Sequence, residues 1–163
     1  MLAQAEAVAG AIADRPAFIV AVLFHRAVFD RQVVDGPARS IALMRRMIAG
    51  TPEPRLARAA SLIEAVARQE PPETADPSLR GDAALLLDMD RAVLGAPAAE
   101  FEAYEAAFRQ EYGHLGTDAY AAGRSSALQM LLWRERIYLT DRFYLEREKA
   151  ARRNIAALLA RLG

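Results

Sequence analysis

Residues 108–138 read FRQEYGHLGTDAYAAGRSSALQMLLWRERIY. The segment enters on the end of an aromatic stripe, Phe101, Tyr104, Phe108 and Tyr112, whose three- and four-residue steps mark one face of a helix. Gly113 can end that helix. Thr117-Asp118 supplies the polar side chains that cap the start of another, expected to finish near Trp133. Alanine, leucine, arginine and glutamate dominate and β-branched residues are sparse, so the stretch reads as two successive helices joined by a turn.

The same reading extends in both directions. Thr140-Asp141 starts a last helix with Ile155, Leu158, Leu159 and Leu162 facing inward. Upstream, Asp14-Arg15-Pro16 is a start signal, Asp14 as the N-cap and Pro16 in the first turn of an apolar helix expected to reach about Phe29. Gly36-Pro37 opens another, marked by Ile41, Met44 and Ile48. Gly50 to Pro54 separates it from a third, marked by Leu56, Ala60, Ile63 and Ala67. Residues 70–81, EPPETADPSLRG, carry three prolines and read as a surface loop. A short helix, Asp82 to Leu87, then leads through Asp88-Met89-Asp90 to a break at Gly95-Ala96-Pro97. There is no repeat, heptad array or low-complexity tract. The fold class expected is all-α, with residues 1–163 as a single domain.

Composition narrows the function classes. The 163 residues suit one domain with a real core. Arginine plus lysine and aspartate plus glutamate balance at 21 each, so neither nucleic acid nor an anionic membrane is an expected partner. With no cysteine, disulfides, thiolate metal sites and thiol nucleophiles are excluded. The N-terminus has no basic segment of a signal peptide. The longest apolar run, Ala17 to Phe24, is far short of the roughly 20 residues that span a bilayer. A cytoplasmic location is the expectation.

The chain has two histidines and no glycine-rich phosphate loop or nucleophile elbow. His25, in the apolar AVLFHRAVFD, is either a hydrogen-bonded core histidine or a metal ligand. Asp88 and Asp90 close the apolar LLLDMD; carboxylates there must cap a helix, pair with a cation or bind a metal. Arg109 and Arg124 read as structural arginines or as holders of a phosphate, for which the planar guanidinium is suited. His114 follows Gly113 in a turn and is expected to be exposed.

Three segments, in this order and spacing, resemble a family of metal-dependent phosphohydrolases within the HD superfamily: AVLFHRAVFD, LLLDMDRAVLGAP and residues 108–138. The resemblance covers roughly residues 10 to 160. It implies an HD-like bundle of about six to eight helices and metal-assisted hydrolysis of a phosphate ester or nucleotide, in which a divalent cation polarises the phosphoryl group and activates water.

The family's ligand pattern is broken here. His25 matches the histidine of the His-Asp pair, but Arg26 follows it. The family's early histidine would precede residue 1. The segment after Ile63, AVARQEPPE, has no histidine where the family carries one or two, and Asp35-Gly36-Pro37 replaces an Asn-Glu pair. The later aspartate is best matched by Asp90, with Asp88 beside it.

The expectation is therefore a degenerate site, with His25, Arg26, Asp88 and Asp90 as its remnants and no metal bound; any metal would fall to His25, Asp88 and Asp90. The protein is expected to be non-catalytic or ligand-binding, with a small phosphorylated ligand as its candidate partner. An active phosphohydrolase and a protein-interaction module are the alternatives. The resemblance also suggests a homodimer that buries part of residues 1–29. Arg26 should pair with Asp88 or Asp90, or else with Asp30 one turn on.

Overall fold

The computed structural model describes residues 1–29 and 35–163, and the described residues form helices and turns with no strand. The chain is organised as two compact units, Met1–Asp90 and Arg91–Gly163.

In the first unit a short helix, α1 (Leu2–Ala7), and a 3-10 turn (Ala9–Ala11) precede α2 (Arg15–Phe24). Asp14 is the N-cap of α2: its carboxylate accepts the Ala17 amide at 3.0 Å. The helix stops at Phe24, short of the expected end near Phe29. Beyond it the Ala27 amide closes a tighter turn on the Phe24 carbonyl at 3.1 Å, and the Val28 amide donates to the fully buried Ser40 hydroxyl at 3.0 Å.

Three longer helices follow: α3 (Gly36–Met47), α4 (Glu53–Arg68) and α5 (Pro77–Arg91), which crosses the boundary by one residue. α4 packs against both α2 and α3, and its Leu56, Ala59, Leu62, Ile63 and Val66 are buried. α5 is longer than the expected segment from Asp82 to Leu87 and begins inside the expected loop. Pro77 sits at its start, where a missing amide costs nothing. The Asp76 carboxylate accepts the amides of Ser78 and Leu79 at 2.8 and 3.2 Å. The Ser78 hydroxyl, together with those amides and Arg58, holds Asp76 down to about 2.

Asp82 anchors this unit. It is buried on the α5 face that also carries Leu85, Leu86 and Met89. Its carboxylate accepts the Ala13 amide at 2.8 Å, the Asp14 amide at 3.2 Å and Arg58 Nη2 at 2.9 Å. The charge is thus paired and hydrogen-bonded, as burial demands. Leu2, Leu23 and Phe29 are exposed apolar side chains of this unit.

The second unit starts with a 3-10 turn (Ala92–Gly95) and continues through α6 (Ala98–Glu111), α7 (Thr117–Trp133) and α8 (Asp141–Leu162). α8 packs on the 3-10 turn and on α7. Gly95 marks the closest approach: a Cβ there would lie 2.7 Å from Arg147 Cβ and 2.8 Å from the Arg147 carbonyl oxygen. Asn154 on α8 donates to the carbonyls of Leu94 and Ala96. Residues 137–138, between α7 and α8, are fully buried. Their amides donate to the Glu148 carboxylate at 3.1 and 3.2 Å, and the Tyr138 hydroxyl donates to the Arg91 carbonyl at 3.0 Å. No helix among the described residues is long and apolar enough to cross a membrane.

Candidate functional site

α2 ends at Phe24, so His25 sits on its last turn, with Arg26 in the turn that follows. α4 ends at Arg68 and is followed by Gln69, whose left-handed backbone (φ 59°) turns the chain out of the helix. Asp90 lies near the C-terminal end of α5. These ends of three helices meet around one carboxylate. Arg26 Nη2 donates to Asp90 Oδ1 at 2.9 Å, and Gln69 Nε2 donates to Asp90 Oδ2 at 3.3 Å. Gln69 also donates to the Val66 carbonyl at 2.8 Å. His25 Nε2 stands 4.0 Å from Asp90 Oδ1, outside hydrogen-bond reach.

The His25 tautomer follows from its other nitrogen. Nδ1 lies 2.9 Å from the Val22 carbonyl oxygen, which can only accept, so Nδ1 carries the proton. Burial is the largest influence on the ring and lowers its pKa below 6.5; Arg26 pushes the same way, against the Val22 carbonyl and Asp90. His25 is therefore neutral near pH 7, with the Nε2 lone pair on the side of the carboxylate. Arg26 supplies the positive charge that this cluster needs, and its side chain, 45 % exposed, also lies over the Phe29 ring.

The expected pairing of Arg26 with an aspartate is found, on Asp90. Asp88 is fully buried. Helix geometry explains why the two aspartates divide: residues two apart on an α-helix point about 200° apart, so only one can face His25. Asp30, the other candidate partner of Arg26, lies outside the described residues. Among the described residues, no three histidine, cysteine, aspartate or glutamate side chains come together in a way that would hold a metal ion.

No family model, curated protein or solved structure matches this chain.

The two phosphate candidates lie in the second unit, and both guanidinium groups are committed to protein acceptors. Arg124 on α7 makes a two-pronged ion pair with Glu105 on α6, its Nε donating at 3.0 Å and its Nη2 donating to the other oxygen. The pair is mostly buried, and Arg124 also stacks over the Phe108 ring at 4.3 Å. Arg109 donates to the carbonyls of Tyr112 and Leu115 at 2.9 and 3.2 Å and lies 4.5 Å over the Tyr120 ring. His114 is exposed, as expected.

The sequence reading missed Gln69 and Glu105. Glu105 carried a signal, because it falls four residues after Phe101 on the buried side of α6, where a charge must have a partner. Gln69 carried a weaker one, as a polar residue in the segment where the resembled family has histidine.

Proposed function

We propose that this chain is a non-catalytic, HD-like helical protein in which the Arg26 guanidinium occupies the position that a metal ion holds in the resembled phosphohydrolases. The observation that carries the reading is the meeting of His25 and Asp90. They are 65 positions apart, come from two of the three segments that carry the resemblance, and approach to 4.0 Å with Arg26 bonded to the same carboxylate oxygen. Gln69 bonds the other oxygen from the segment where the family carries histidine.

The donor set does not fit a divalent cation. One neutral imidazole and one carboxylate fall short of the three or four protein ligands such sites use. A cation bound to Asp90 Oδ1 would sit within about 5 Å of Arg26, where the repulsion is on the order of 6 kcal/mol at an effective dielectric of 20. Arg26 would have to leave Asp90 before a cation could enter. The commitment of Arg109 and Arg124 to carbonyls and a carboxylate argues in the same direction, since neither guanidinium is free to hold a phosphate.

The deciding experiment is elemental analysis of protein purified without chelators, beside hydrolysis of a generic phosphoester. Substoichiometric metal and hydrolysis no faster than buffer are expected. Stoichiometric metal that is lost in His25→Ala and in Asp90→Ala would overturn the reading.

A further inference from the structure

α7 buries one side and leaves the other in water. Leu128 is buried, and the opposite side carries Ala119, Gly123, Ser126, Ala127, Met130 and Trp133, which steps of about 100° per residue bring within one arc of about 120°. All six are exposed, Met130 to 59 % and Trp133 to 81 %. No charged side chain falls on that arc: the charges of α7 are Asp118 and Arg124, and Arg124 is turned to Glu105. An exposed helix face ordinarily carries charges. α8 shows the ordinary case, with Arg142, Glu146, Lys149 and Arg153 exposed.

Side-chain size is graded along this face. Bulk stands at the C-terminal end, in Met130 and Trp133, and small residues fill the middle and the N-terminal end. A Cβ added at Gly123 would meet nothing within 4 Å. Beside Ala119 and Gly123, the side chains of Phe108, Tyr112, Leu115 and Tyr120 frame a hollow of about 210 Å3. Turned end for end, the face therefore complements itself. When two copies of α7 run antiparallel and cross at Ser126 and Ala127, Trp133 of one copy comes opposite Tyr120 of the other, and Met130 comes opposite Gly123. The bulky end of each copy meets the hollow of the other. Small side chains at the crossing let the two axes approach toward about 8 Å, the close end of the usual range.

We propose that this face of α7 is the interface of a homodimer, in which two copies pack α7 against α7, antiparallel, about a two-fold axis at Ser126 and Ala127. A contact of this kind uses the same patch on both copies and closes on itself. Charge selects the occupant: a partner with charged groups would leave them unpaired against an uncharged face, whereas a second copy brings an uncharged face of its own. Area agrees. Trp133 alone leaves about 200 Å2 in water, a quarter of the roughly 800 Å2 that each partner contributes to an interface of standard size, and the rest of a helix about 25 Å long lies beside it. The interface belongs to the second unit alone, is separate from residues 1–29 and does not depend on the family reading.

Light scattering of the full chain over a concentration series should show the mass rising from 17.8 kDa toward twice that value. Trp133 is the only tryptophan, so its emission should shift to the blue over the same range. Trp133→Ala should weaken association by about 30-fold, as expected of a central aromatic anchor. Ala127→Glu sets like charges against each other at the axis and should leave a monomer whose circular dichroism spectrum stays helical. The chain has no cysteine, so the register can be read by cross-linking. Gly123→Cys and Met130→Cys chains, mixed and oxidised, should form the mixed disulfide in preference to either self-linked product. The proposal is overturned if the chain stays monomeric up to about 1 mM, if Ala127→Glu dimerises as the parent does, or if the mixed disulfide is not preferred.

Discussion

Arg26 and Asp90 divide the cost of their separation unequally. Asp90 is the buried member, its side chain 10 % exposed, whereas Arg26 is 45 % exposed. Breaking a fully buried ion pair costs about 3–5 kcal/mol, and breaking an exposed one costs at most about 1 kcal/mol. Arg26→Ala leaves an enclosed carboxylate with Gln69 as its remaining side-chain donor shown at the cluster, so a loss of about 2 kcal/mol is expected. Asp90→Asn is milder, about 1 kcal/mol or less, because the released guanidinium can turn to water. The double variant should be no less stable than Arg26→Ala alone, giving a coupling of about 1 kcal/mol. Urea titrations followed by circular dichroism would measure all three, with the slope held constant as the check on two-state behaviour. In a thermal melt the Arg26→Ala loss corresponds to roughly 4–8 °C for a chain of this size. An unchanged Arg26→Ala midpoint, strictly additive losses, or an Asp90→Asn loss larger than that of Arg26→Ala would refute the idea that Arg26 compensates a buried charge.

Gly95→Ala should destabilise by about 3 kcal/mol or prevent folding, since the new methyl would meet Arg147 Cβ and the Arg147 carbonyl below 3.0 Å and neither is the end of a flexible chain; a melt within 1–2 °C of the parent, roughly the effect of half a kcal/mol, would contradict this. Glu148→Ala strands the buried amides of Ile137 and Tyr138, while Arg152 keeps the carbonyls of Leu132, Arg134 and Glu135, so a cost of about 2–4 kcal/mol is expected, and Glu148→Gln should recover part of it in the same denaturation assay. His25 has its folded pKa below the unfolded value, so the unfolded chain binds the extra proton and stability falls as pH drops below about 6.5. His25→Gln should therefore lose less stability than the parent between about pH 7.5 and 5.5; equal losses would show that His25 is not the group responsible.

The helices are legible in the sequence wherever a local signal sets them. Asp14 and Pro16 mark the start of α2, and the aromatic steps from Phe101 to Tyr112 mark α6. Legibility fails where a distant residue decides the outcome. The chain that follows α2 is held by Ser40 on another helix, which takes the Val28 amide. The start of α5 is obscured because prolines weigh toward loop in a sequence reading, although Pro77 is a favoured first residue once Asp76 caps it. α1 has too few residues to announce itself by period. At the cluster, no local pattern joins His25 to Asp90, because the two lie 65 residues apart. The division of Asp88 from Asp90 needs less: helix periodicity by itself assigns the two to different faces.

The Glu148 carboxylate has a consequence for the backbone it holds. Ile137 and Tyr138 belong to no helix, and amides in such connecting segments ordinarily exchange their hydrogens with solvent through small, frequent openings. Here both amides end on a carboxylate that is itself buried and carried by a 22-residue helix, and the Tyr138 ring is fixed at its hydroxyl by the Arg91 carbonyl. Releasing either amide means separating α8 from the connecting segment, so local fraying is not enough. In deuterated solvent these two positions should keep their protons alongside the interior of α8, so that a stretch with no regular secondary structure reports the global opening of its unit.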